Sequence, residues 1–334
     1  MLPKFGLILP PLNARWSWKE QLTLCRVIDQ ARANSIWVGD NIGSDYVDSF
    51  SILAALAGHI HKSMLVAEVT VGKGFAPQRH PALVAKAATS LDVLCSGRVV
   101  IALRAPLGLS MFTASASETP RSISAESNWM YEVNDIITIM KIMFEAAREG
   151  NDQEEKSSFF GKNWSIARAV NLPGPIQSKG PPIFVEAPNH AVKVDVGPVH
   201  GDGLLINFST YNYSNDLEGL RNYIGEVSAW LEMEANPRRR IVLYGIPLAI
   251  EDSYAEKISR ELPGEIGGNN SLTAKAVNGL LEKRTLPPLV GTSTYIANLA
   301  STYRSVGVDE LACTLPNPTD PVILQATLSW LASH

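Results

Sequence analysis

The chain has 334 residues, 46% hydrophobic and 19% charged, which is enough apolar material for a large buried core. Its 33 acidic and 29 basic residues leave a formal charge of −4 and are spread along the chain, so no basic field favours nucleic acid or an anionic membrane. Cys25, Cys95 and Cys313 are odd in number and far apart, which argues against a disulfide framework or metal site and for buried thiols in a reducing compartment.

The first strand is Lys4 to Leu9, ended by Pro10-Pro11, which cannot donate to a ladder. That stop leaves no apolar N-terminal segment of signal or membrane-spanning length, so a cytoplasmic protein without membrane contact is expected. Ser17 to Ala33 places Leu24, Ile28 and Ala31 on one helical face. Ser35 to Gly39 is the second strand, Ser49 is placed to cap a short helix through Gly58, and Met64 to Val71 is the third strand. Pro81 opens a helix, apolar almost all round, that stops at Ser96-Gly97 and leads into the fourth strand, Val99 to Leu103. Periodicity then lapses until about Trp129, which predicts an extended loop after that strand. Val133, Ile136, Ile137, Met140 and Phe144 repeat at helical spacing, and a polar surface excursion follows from Arg148 to Lys162. Pro182 to Ala187, Gly203 to Phe208 and Ile241 to Ile246 are the fifth, sixth and seventh strands. An insertion from Glu251 to Pro288 separates them from a Thr292-capped helix and the eighth strand, Glu310 to Leu315. Eight strands alternating with helices, with no internal repeat, predict an α/β fold: one closed (β/α)8 TIM barrel over residues 1–334 as a single domain.

In such a barrel the site lies at the carboxyl ends of the strands. That rule selects Asp40-Asn41, Glu68-Val69-Thr70, Arg104-Ala105, Glu186-Ala187, Asn207 and Thr314. Glu68, Arg104 and Glu186 are charges set where the pattern predicts burial, so they either pair with one another in a structural ion network or meet a charged ligand. Asp92 and Arg98 read as a structural pair around the helix-to-strand turn, His80 as a turn and packing element, and His59 with His61 as too poorly aligned for a metal. Gly72-Lys73-Gly74 is too short for a nucleotide fingerprint.

The segment RHPALVAKAATSLDVLCSGRV, residues 79–99, resembles the signature of the bacterial-luciferase-like superfamily of flavin monooxygenases and coenzyme F420-dependent oxidoreductases. SIWVGD at 35–40, FSILAALA at 50–57, GPPI at 180–183, GDGL at 201–204 and VGT at 290–292 extend the resemblance along most of the chain. It implies a luciferase-like barrel in which, in the deazaflavin enzymes, the third strand carries a bulge with a non-prolyl cis peptide, here Glu68-Val69, backing the cofactor ring. The acidic-histidine pair of that family stands here as Asp40-Asn41; asparagine hydrogen-bonds but exchanges no proton near neutral pH. Arg104-Ala105-Pro106 and Glu186-Ala187-Pro188-Asn189 replace small residues or glycines, crowding a ring while offering Arg104 to a cofactor phosphate.

By that resemblance the candidate catalytic residues are Glu68 and Asn41. The candidate cofactor-binding residues are Asp40, Asn41, Glu68, Val69, Thr70, Arg104, Ala105, Glu186, Ala187 and Asn207. The implied activity is F420-dependent hydride transfer to a small organic substrate, of the methylene-tetrahydromethanopterin reductase type, in a homodimer or heterodimer. Two alternatives stay open: an FMN-dependent monooxygenase, and a non-catalytic subunit or homologue that has lost its cofactor.

Overall fold

The computed structural model describes residues 2–10, 17–39, 47–70, 79–104, 123–146, 157–187, 200–208, 217–228, 240–250, 286–315 and 321–334. Its strands are β1 (Lys4–Ile8), β2 (Ser35–Val38), β3 (Met64–Thr70), β4 (Val99–Arg104), β5 (Phe159–Phe160), β6 (Ser165–Ile166), β7 (Ile183–Glu186), β8 (Gly203–Asn207), β9 (Arg240–Ile250), β10 (Leu289–Gly291) and β11 (Glu310–Thr314). Its helices are α1 (Trp18–Gln30), α2 (Ser49–Ala57), α3 (Pro81–Leu94), α4 (Ile123–Ala146), α5 (Leu217–Ser228), α6 (Ser293–Ser305) and α7 (Pro321–Ser333).

Eight parallel strands close in the order β1-β2-β3-β4-β7-β8-β9-β11, with β11 returning to β1. This is the predicted barrel. Outward side chains such as Leu7, Ile36, Leu65, Ile101 and Leu204 pack under the helices, while Trp37, Val66, Val100, Ala102, Phe184, Leu205, Val242 and Ala312 fill the lumen. Both faces of each strand are therefore apolar, which is why these segments read as unbroken hydrophobic runs.

The lower end of the lumen is polar but satisfied. Glu310 accepts hydrogen bonds from Ser35 Oγ and, at 2.8 Å, from Asn34 Nδ2, and the indole of Trp37 donates to Ser35 Oγ at 2.7 Å. Gly6 is required beside them: a Cβ there would overlap Ser35 Oγ and lie 2.7 Å from Trp37 Nε1. At the barrel end remote from the strand exits such a network serves stability.

Several local expectations change. Asp48, not Ser49, caps α2, because Asp48 Oδ1 accepts from Ser51 N at 2.8 Å while Ser49 Oγ donates to the Glu68 carbonyl at 3.2 Å. Asp92 and Arg98 do not pair. Asp92 accepts from the backbone of Ile176 and Gln177 at 2.8 and 3.0 Å, and Arg98 donates to the carbonyls of Ser63 and Ile60. α4 starts at Ile123, ahead of the expected Trp129. A β5–β6 hairpin starts within the expected excursion and ends past Lys162, and β10 adds to β9 beyond the barrel. The one cis peptide bond among the described residues is Leu172-Pro173. Glu68-Val69 is therefore trans, and β3 keeps unbroken register with β4 from Leu65↔Val99 to Thr70↔Arg104, leaving no bulge.

Candidate active site

Strand alternation sends every second side chain into the lumen. On β3 these are Val66 and Glu68, on β4 Ala102 and Arg104, on β7 Phe184 and Glu186, on β8 Leu205 and Asn207, and on β9 Val242 and Tyr244. The last apolar layer is thus followed, one pleat nearer the strand exits, by a polar layer of Glu68, Arg104, Glu186, Asn207 and Tyr244.

Those side chains form one connected cluster. Arg104 Nη1 donates to Glu68 Oε2 at 2.8 Å, and its Nε and Nη2 lie 3.3 and 3.5 Å from the two oxygens of Glu186. Asn207 Nδ2 donates to Glu186 Oε1 at 3.1 Å. Tyr244 Oη reaches across the barrel to Glu68, 2.7 Å from each carboxylate oxygen. The Arg104 guanidinium also lies over the Tyr244 ring, 4.2 Å from its centroid, and that ring meets Trp37 at a centroid distance of 5.6 Å and a tilt of 58°.

Two carboxylates face one guanidinium in a site almost closed to water. The Glu68 and Glu186 side chains are 5% and 3% exposed and Arg104 is 14% exposed. Burial alone would lower the Arg104 pKa, but Glu186, Tyr244 and Glu68 hold it well above its ordinary value. Burial pushes the Tyr244 phenol well above its ordinary range, and the Glu68 carboxylate adds to this, so the phenol stays a proton donor to Glu68.

Of the residues predicted for the site, Glu68, Arg104, Glu186 and Asn207 meet in this cluster, and Thr70 stands opposite Arg104 in the ladder. Val69 points out of the lumen into the core beneath the helices. Ala187 follows β7 and donates its N–H to the Leu205 carbonyl at 2.8 Å. Asp40, Asn41 and Ala105 lie outside the described residues; Gly39, just before Asp40, borders Glu68. His80 caps α3, accepting from Ala82 N at 3.2 Å, and packs edge-on against Trp164. Tyr244 was not among the predicted site residues. The available signal was its alternation with Val242, which sets a hydroxyl at an inward position near a strand exit.

The edge donors of Arg104 are directed at Glu68 and Glu186, and Arg79, before α3, is ion-paired with Asp48. Among the described residues no cluster of His, Cys, Asp or Glu is arranged to hold a metal ion, and no helix is long and apolar enough to cross a membrane.

Comparison with known proteins bears on the same barrel. The oxygenase component of the flavin-dependent trigonelline monooxygenase of Acinetobacter baylyi is 23% identical over 194 residues, 55% of this chain and 49% of that protein. The chain thus spans about half the length of the curated relative it matches. An F420-dependent secondary alcohol dehydrogenase, solved with an F420-acetone adduct, superposes with a TM-score of 0.65 at 12% identity, covering 99% of both chains. The long-chain alkane monooxygenase LadA superposes with a TM-score of 0.67 at 11% identity, covering 100% of this chain and 91% of that one. At such identities the superpositions establish the fold alone. The family model for luciferase-like monooxygenases matches residues 4–256, from β1 past the end of β9. With most of its length matched, the chain belongs to the luciferase-like monooxygenase family.

Proposed function

We propose that this protein is the oxygenating component of a flavin-dependent monooxygenase, holding reduced FMN at the barrel mouth beside a small organic substrate. The observation that carries the reading is the buried polar layer at the strand exits, where one hydrogen-bonded carboxylate, Glu68, sits beneath the outermost guanidinium, Arg104. The sequence match to a flavin-dependent oxygenase component supports flavin over other planar cofactors.

Reduced flavin, when bound, supplies the electrons for attack on dioxygen. The chain's share is positional. Arg104, Thr70 and Asn207, together with Asp40, Asn41, Ala105 and Ala187, are the residues proposed to hold the ring. Glu68 is proposed as the carboxylate that orients the substrate or exchanges a proton with it, and Asn41 as a hydrogen-bonding partner that carries no exchangeable acid.

F420-dependent hydride transfer is the second reading, favoured by the superposition on the F420-dependent alcohol dehydrogenase. It ranks below the flavin reading because β3 lacks the bulge that the resemblance associates with deazaflavin enzymes. The proposal includes a single catalytic domain, a cytoplasmic location, a separate source of reduced flavin and a homodimer. Exposed Leu83 and Leu94 on α3, with Leu172 and Ile176 on the segment along it, support a contact with a second copy or a homologous subunit.

Anaerobic titration with reduced FMN and with reduced F420, followed by admission of air, tests the choice. Binding of FMN and its rapid oxygen-dependent reoxidation on the protein are expected. Tight binding of the deazaflavin with none of FMN overturns the flavin reading.

A further inference from the structure

Trp37, Tyr244 and Arg104 follow one another through the lumen, the two rings tilted 58° to each other. Trp37 is fully buried and packs on Tyr244 at 5.6 Å, and Tyr244 lies under the guanidinium of Arg104 at 4.2 Å. Arg104 ends the series: it is the last residue of β4, it stands opposite Thr70, two residues past Glu68, and it is the most exposed charged member of the cluster. Its edges are taken by Glu68 and Glu186 and one of its faces by Tyr244. No described residue has a recorded contact with its other face, and that face is the one left for a ligand.

We propose that the outer face of the Arg104 guanidinium is the stacking platform for the ligand's aromatic ring, so that this arginine recognises the ring by its plane and not a phosphate by its fork. Guanidinium is suited to this because it is planar, weakly hydrated and stacks on aromatic faces, while Glu68 and Glu186 fix its orientation. This inference deepens the flavin reading and rests on a planar ring binding at the mouth.

The test uses lumiflavin, which carries the ring without a phosphate, and FMN, both titrated into the full-length protein by quenching of ring fluorescence. Arg104→Lys keeps the charge and loses the plane. Stacking predicts that it weakens lumiflavin and FMN by the same factor, about 3- to 30-fold. Loss confined to FMN, or no loss for either, overturns the inference. Tyr244→Phe should retain ring affinity and Tyr244→Leu should lose it, since only the second removes the aromatic backing. Should Arg104→Lys fail to fold, a crystal of the wild-type protein with lumiflavin decides. A ring within about 6 Å of the guanidinium carbon, on the side away from Tyr244, supports the assignment, and a ring elsewhere removes it. If wild-type protein binds neither ring, the flavin reading falls together with this inference; binding that ignores Arg104 removes the inference alone.

Discussion

The phenol of Tyr244 spans the barrel to donate to Glu68, 2.7 Å from both oxygens of its carboxylate. No local sequence relation joins the two residues; they meet because β9 and β3 both direct these positions inward at one height. Tyr244→Phe keeps the ring under Arg104 and removes one charge-assisted hydrogen bond from a buried acceptor. A loss of about 1–3 kcal/mol is expected, read as a lower urea midpoint with unchanged slope. No change in the midpoint would mean that water replaces the hydroxyl at Glu68.

Arg104 ion-pairs with both the Glu68 and the Glu186 side chains. Replacing it by methionine leaves two nearly buried carboxylates without that cation, at a cost of about 3–5 kcal/mol in urea unfolding. The double variant Arg104→Met/Glu186→Gln should recover part of the loss, because one of the two buried negative charges is removed with it. Equal midpoints for the single and double variants would show that Glu186 does not depend on Arg104.

The barrel was legible because its strands are buried on both faces. Ile36-Trp37-Val38, Val99 to Leu103 and Ile183-Phe184-Val185 leave no polar alternation to confuse with a surface strand. The rim charges stood out for the same reason, since Glu68, Arg104 and Glu186 interrupt or end such runs. What local pattern cannot show is pairing across a lumen. Tyr244 was hidden inside an apolar stretch, and Asp92 was assigned to nearby Arg98 when its partners lie at Ile176 and Gln177, brought alongside only by the fold. α7, opened by Pro321, had no counterpart among the expected elements, which ended at the eighth strand.

Asp29, at the end of α1, accepts from the backbone N–H groups of His61, Lys62 and Ser63 at 3.0, 2.9 and 2.7 Å. Burial alone would raise its carboxyl pKa, but these donors hold it below the ordinary value. A depressed folded-state pKa contributes stability that is fully present above the unfolded value, about 3.9, and is lost as pH falls through the folded one. Asp29→Asn should therefore lower stability at pH 7 by about 1–3 kcal/mol and shrink the acid-induced loss. Urea midpoints from pH 7 down to about pH 3 check this; parallel curves for both proteins would assign the acid sensitivity elsewhere.

The three cysteines are all buried, and burial pushes the Cys25 thiol up to about 12 and raises Cys95 and Cys313 as well. Only the thiolate attacks a disulfide reagent. Native protein at neutral pH should therefore titrate no thiol with an aromatic disulfide reagent over minutes, and all three once unfolded in urea. A fast-reacting thiol in the native protein would show that one of these packing sites opens readily.

Gly245 follows Tyr244 directly, with φ of +83°, where the β9–β11 register slips so that Ala312 faces Tyr244 and Cys313 faces Ile246. The extra residue is a bulge, a device that bends a strand and re-aims the neighbouring side chain. Space is not the constraint, since the nearest atom to an added Cβ is Asn207 Oδ1 at 4.0 Å. Backbone conformation is. Gly245→Ala should cost about 1–2 kcal/mol from the left-handed conformation, and Gly245→Asn less, because asparagine visits that region more readily. Urea midpoints of the two variants separate this from crowding: steric pressure would make the larger asparagine the worse replacement, whereas conformational strain makes it the better one.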